Sequence, residues 1–170
     1  RPPADAARRL IVALATADDI ARVRALLGRA PQSDFEVVVR DDDGVPRVIR
    51  NAPFLEDGTP MPTRYWLVSE HDRLVVSRLE SSGAVREAEA DLDPGAVQAA
   101  HDRYAAERDA AIDPDHDGPR PTGGVGGTRR GLKCLHAHYA WWLAGGDDPA
   151  GQWVADRLAA QEADGGGETP

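Results

Sequence analysis

The sequence holds one cysteine (Cys134), one lysine (Lys133) and one methionine (Met61), and only 5% of it is aromatic. A single cysteine excludes an internal disulfide and the thiolate-rich type of structural zinc site, and it fits a reducing compartment. No apolar run approaches the roughly 18 residues of a membrane-spanning helix, so no membrane is expected as a partner. The opening Arg1-Pro2-Pro3-Ala4-Asp5 lacks the charged, apolar and small-residue succession of a secretory signal, and a cytoplasmic location is the expectation. A surplus of cations is missing too. The net charge of −9 makes a general nucleic-acid binder an unexpected reading, because phosphate contacts need clustered positive charge. There is no Gly-x-Ser-x-Gly elbow, no His-Glu-x-x-His and no Cys-x-x-Cys, so the common hydrolase and zinc signatures are absent.

What is there suffices for one domain. At 170 residues and 41% hydrophobic, the chain can enclose a core. Thr16-Ala17-Asp18-Asp19 reads as a helix start, with Ile20, Val23, Leu26 and Leu27 at helical spacing on a buried face as far as about Gly28. The β-rich runs 35–40 and 46–50 bracket Asp41-Asp42-Asp43-Gly44 and predict a hairpin, and a third strand is expected over 64–68 after a proline-rich loop. Helices are predicted over 72–82, from Asp93-Pro94 to about Ile112, from about Thr128 to Leu143, and up to about Ala160. The expected fold is α+β, a small antiparallel sheet packed with about five helices. Its expected division is an N-terminal extension over 1–15, the domain over 16–160 and a disordered tail over 161–170.

Chemistry concentrates between Gly123 and Trp142. Gly124, Gly126 and Gly127 offer unobstructed backbone amides just before an expected helix N-terminus carrying Arg129, Arg130 and Lys133, and all three features favour an anion. The nucleotide fingerprints nevertheless fail: Leu132 stands where a P-loop lysine belongs, and Arg129 where a dinucleotide loop needs its third glycine. A flexible linker before a solvated basic helix start is the plainer alternative.

On a helix from Thr128, Cys134 and His138 are four residues apart and share a face, while His136 points the other way. Cys134 with His138 could then form a thiol–imidazole pair or two metal ligands, His116, Asp115, Asp117 or His101 completing a metal set; packed core residues are the alternative. Asp113-Pro114-Asp115-His116-Asp117-Gly118 matches the first half of a calcium loop, but its twelfth position is Gly124 instead of a glutamate. No residue pattern names a cofactor.

Gly124-Val125-Gly126-Gly127 followed by Arg130-Gly131-Leu132-Lys133-Cys134-Leu135-His136-Ala137-His138, with Asp57-Gly58-Thr59-Pro60-Met61-Pro62-Thr63 and Ser77-Arg78-Leu79-Glu80, resembles the actinobacterial domain-of-unknown-function family numbered 501. The likeness covers about Thr16 to Leu158. It brings no activity with it, and the tendency of its members to lie near genes for enolase, a septum-formation initiator and a phosphatase implies a link to phosphate metabolism or division. These motifs coincide with the positions chosen on physical grounds. The preferred expectation is a pocket for a small phosphorylated ligand built from Thr63, Arg64, Arg78, His101, Tyr104, Arg108 and residues 124–138, with Cys134, His138 and His136 as candidate catalytic groups. The alternatives are a non-catalytic adaptor for a protein partner, and a metal protein using Cys134, His138 and His116.

Overall fold

The computed structural model describes residues 14–165, and most of the N-terminal extension expected over 1–15 lies outside them. Strands β1 (Phe35–Arg40), β2 (Pro46–Asn51) and β3 (Tyr65–Leu67) form one antiparallel sheet in that order. Around it stand α1 (Ala17–Leu27), α2 (Glu70–Ser81), α3 (Ala84–Asp91), α4 (Pro94–Ala110), α5 (Leu135–Leu143) and α6 (Pro149–Gly165), and the fold is α+β as expected. Alternation along the strands splits the core. Val23, Phe35, Val37, Ile49 and Val68 pack under α1, while Val38, Val48, Tyr65 and Leu67 face the larger cluster beneath α5 and its neighbours. No helix among the described residues is long and apolar enough to cross a membrane.

Local chemistry explains the element ends. Thr16 and Asp19 close a reciprocal capping box on α1, and Ser69 and Asp93 cap α2 and α4. The buried face of α1 differs from the expected one: Ile20 is 47% exposed, whereas Asp19 is buried, held below the usual carboxylate range by the Arg40 guanidinium 2.8 Å away. The helix predicted over 72–82 is α2, and Gly83, at φ 97°, turns the chain straight into a further helix, α3. Helix α6 continues to Gly165, five residues into the segment expected to be a disordered tail.

The largest correction falls on the helix expected from Thr128. It begins at Leu135, because residues 128–134 follow an irregular path in which Gly131 adopts φ 63° and Cys134 is extended at φ −150°. Cys134 is therefore the residue before the helix, outside the 100° periodicity that would have placed it above His138.

Candidate functional site

The glycine-rich stretch forms a closed loop with one 3₁₀ turn at Val125–Gly127. Three of its amides have protein acceptors: Gly124 donates to the Thr128 carbonyl at 2.7 Å, Gly127 to Gly124 at 3.0 Å, and Val125 to His101 Nδ1 at 3.0 Å. Further on, Leu132 N–H donates to Glu89 and Leu135 N–H, at the start of α5, to Glu80. The helix start thus does attract an anion, as the dipole argument expects, but that anion is the protein's own carboxylate. Arg129, Arg130 and Lys133 are exposed, as is Arg78 on α2.

His101, Tyr104 and Arg108 line one stripe of α4 and are buried, each bonded to main chain, His101 and Arg108 to the glycine-rich stretch and Tyr104 to the 62–64 segment. His101 accepts from Val125 at Nδ1, so its proton sits on Nε2, which donates to the Gly131 carbonyl at 2.9 Å. Arg108 Nη1 donates to Gly123 O at 2.6 Å. Tyr104 accepts the Arg64 N–H at 2.6 Å, and burial pushes its hydroxyl up to about 12. Arg64 in turn donates to Asn51 O, and Thr63 is half-buried beside it in sequence. Of the residues expected to line a pocket, His101 and Arg108 hold the glycine-rich loop and Tyr104 holds the 62–64 segment, while Arg78 stands apart. Gly124 fits only without a side chain, since a Cβ there would lie 2.4 Å from His101 Cβ. Gly124→Ala is accordingly expected to cost about 1–3 kcal/mol, read as a lower midpoint in urea unfolding.

The histidines of α5 exchange the roles expected of them. His138 is 1% exposed and its Nδ1 donates to Asp148 Oδ2 at 2.7 Å, while Nε2 has no hydrogen-bond partner among the described residues and the ring meets His101 edge-on at 5.5 Å. It does not face Cys134. His116 rests its ring on Phe54, with Nε2 3.2 Å from the Pro119 carbonyl. The set Cys134, His138 and His116 is therefore not assembled. In the calcium-like loop, exposed Asp115 donates its N–H to Asp113 in a local turn.

His136 is the histidine that meets the cysteine. Among the described residues, the group that brings three ligand atoms within 4.8 Å of one another is Glu80, Cys134 and His136, all half-buried. His136 Nδ1 lies 3.2 Å from Glu80 Oε1, and its Nε2 lies 3.1 Å from both the Arg73 carbonyl and Ser77 Oγ. The Ser77–His136–Glu80 order has the connectivity of a nucleophilic triad. A carbonyl beside Nε2, however, requires a proton on that nitrogen, so it is a donor toward Arg73 and no base for Ser77. Glu80 and Ser77 were visible in sequence only as parts of the motif Ser77-Arg78-Leu79-Glu80, and nothing in their local pattern linked them to Cys134, 54 positions later.

The Cys134 sulfur raises the His136 pKa to about 9; burial opposes this, and Glu80 and the Arg73 carbonyl add to it. Because the folded value lies above the ordinary 6.5, the stabilisation is fully present below pH 6.5 and is lost as pH rises through about 9. The metal-free protein is expected to lose melting temperature across that window, and His136→Gln to flatten the loss; a thermal-melt series at stepped pH checks both.

Both motifs that meet in this cluster lie inside a match to the family model described as "Protein of unknown function (DUF501)", which spans residues 37–156 and leaves α1 outside. No curated protein and no solved structure matches the chain. With the model covering most of its length, the chain belongs to the DUF501 family.

Proposed function

We propose that the chain binds a divalent metal ion of the zinc class through Glu80, Cys134 and His136, and that the ion's remaining position takes a small anionic ligand in the cytoplasm. The observation that carries this reading is the convergence of an oxygen, a sulfur and a nitrogen donor within 4.8 Å, from α2 and the entry to α5. Donors on one tetrahedral zinc ion stand about 3.3–3.8 Å apart, so half-buried side chains need contract by only about an ångström. The proton on His136 Nε2, directed at the Arg73 carbonyl, leaves Nδ1 as the ligating nitrogen on the side of Glu80 and Cys134. This is the outer-shell bond that ligating histidines use to fix tautomer and ring orientation. Three protein donors leave a position for water or ligand, as catalytic zinc sites do and structural ones do not. Lys133, exposed and adjacent in sequence to Cys134, adds a cation that favours an anionic ligand. The adaptor reading draws no support from Trp141 and Trp142, which are buried and offer a partner no exposed aromatic face.

A second reading rests on the raised pKa of His136: without metal, Cys134 beside an imidazolium is a candidate nucleophile. Titrating the metal-free protein with zinc against a chromophoric chelator, while following iodoacetamide alkylation of Cys134, separates the two. One zinc per chain with protection of the thiol supports the metal centre. Fast alkylation unaffected by zinc supports the nucleophile and rejects the metal.

A further inference from the structure

On the far side of His136 from the cluster, α1 and α2 enclose an open groove of about 520 Å³, within the size range of small-molecule sites. Ser77 lines it, with its hydroxyl 3.1 Å from His136 Nε2. Leu26 and Leu74 supply an apolar wall, Leu74 being 48% exposed. Among the described residues, Arg22 and Arg73 stand in the lining against a single carboxylate, Glu70, so this lining carries a net positive charge. Arg73 Nη1 donates to the Leu26 carbonyl at 3.0 Å, which fixes its guanidinium across the groove and leaves further N–H groups of the fork for an acceptor.

We propose that this groove binds a small organic acid, an anionic headgroup on a short hydrocarbon body, with the headgroup at Arg22 and Arg73 and the body along Leu26 and Leu74. The inference stands apart from the metal reading: none of Glu80, Cys134 and His136 lines the groove. Fixed, planar donors recognise carboxylate and phosphate in paired hydrogen bonds, whereas an ammonium headgroup meets like charge. The leucines account for the body, since an isolated phosphate would leave them exposed to water. Both headgroups present the same oxyanion chemistry, and separate probes distinguish them.

The test is a titration of the metal-free, ¹⁵N-labelled full chain with hexanoate, hexyl phosphate and hexylammonium, followed by amide shifts. The expected result is a saturable shift confined to α1 and α2 with at least one of the two anions and none with hexylammonium; the tighter anion names the headgroup. Arg22→Ala is expected to weaken binding about tenfold, the loss of one charge-assisted bond. Leu74→Asp, at an exposed position that leaves the core untouched, is expected to abolish it. No saturable shift with either anion, equal shifts with hexylammonium, or unaltered binding in Leu74→Asp would overturn the proposal. Zinc is absent throughout, so failure here leaves the metal centre unaffected.

Discussion

Cys134→Ser is expected to weaken zinc binding by at least about a hundredfold and to leave the metal-free protein folded, its melting temperature lowered by what the sulfur contributes to the raised His136 pKa. Loss of an outer-shell partner alone typically costs ten- to a hundredfold in metal affinity, and exchanging a ligating thiolate for a neutral hydroxyl removes a donor outright. The fold should tolerate it, because Cys134 is half-buried and makes no side-chain cap on α5. Glu80→Gln should follow the same direction for a separable reason: its amide oxygen still accepts the Leu135 N–H that caps the helix start, but the charge facing the metal is gone. His116→Ala is the control. Its ring sits on Phe54, away from the cluster's three donors, so zinc affinity should not change. Isothermal titration of the four proteins checks the pattern, and a loss of zinc in His116→Ala would restore the ligand set suggested by the sequence.

The second large effect is structural. Asp148→Ala should destabilise the protein by about 3–5 kcal/mol, the usual result of stripping a partner from a buried polar pair, and lower the melting temperature by roughly 10 °C. Asp148 is fully buried, with one oxygen holding His138 Nδ1 and the other accepting the Ala150 and Gly151 N–H groups at the start of α6. Removing it orphans His138 at Nδ1 as well as at Nε2, and frees two amides of the helix start. Asp148→Asn keeps a carboxamide oxygen for one of these duties and should lose less. Urea unfolding of both variants reads the difference, and equal stabilities would mean that neither the imidazole nor the helix start depends on this side chain.

The sheet and most helices were legible because their signals are local: Asp41 to Gly44 between β-branched runs, Thr16, and Asp93-Pro94 each act within a few residues. Helix α3 was not, since Ala84, Val85 and Ala88 give a buried face too small to stand out, and Gly83 reads equally as a stop or a hinge. Helix α5 was extended too early because Arg129 to Cys134 contains no proline and good helix formers. The chain departs there through Gly131, whose position against Glu89 depends on tertiary packing, since a Cβ would lie 2.7 Å from that carboxylate. That single misplacement moved the expected partner of Cys134 from His136 to His138. The site itself was half visible. Cys134 and His136 sit in the densest motif of the chain, but Glu80 and Ser77 reach them only through the packing of α2 on α5, a contact far apart in sequence.

The most direct measurement is the absorption spectrum of the metal-free protein titrated with cobalt(II), which takes zinc's ligands and reports them. A thiolate-to-cobalt charge-transfer band that saturates at one ion per chain, with ligand-field bands of tetrahedral strength, and that vanishes in Cys134→Ser is the predicted result. Weak bands characteristic of octahedral oxygen coordination, identical in parent and Cys134→Ser, would contradict the account: the sulfur would then take no part, and the Glu80, Cys134 and His136 cluster would be no metal centre.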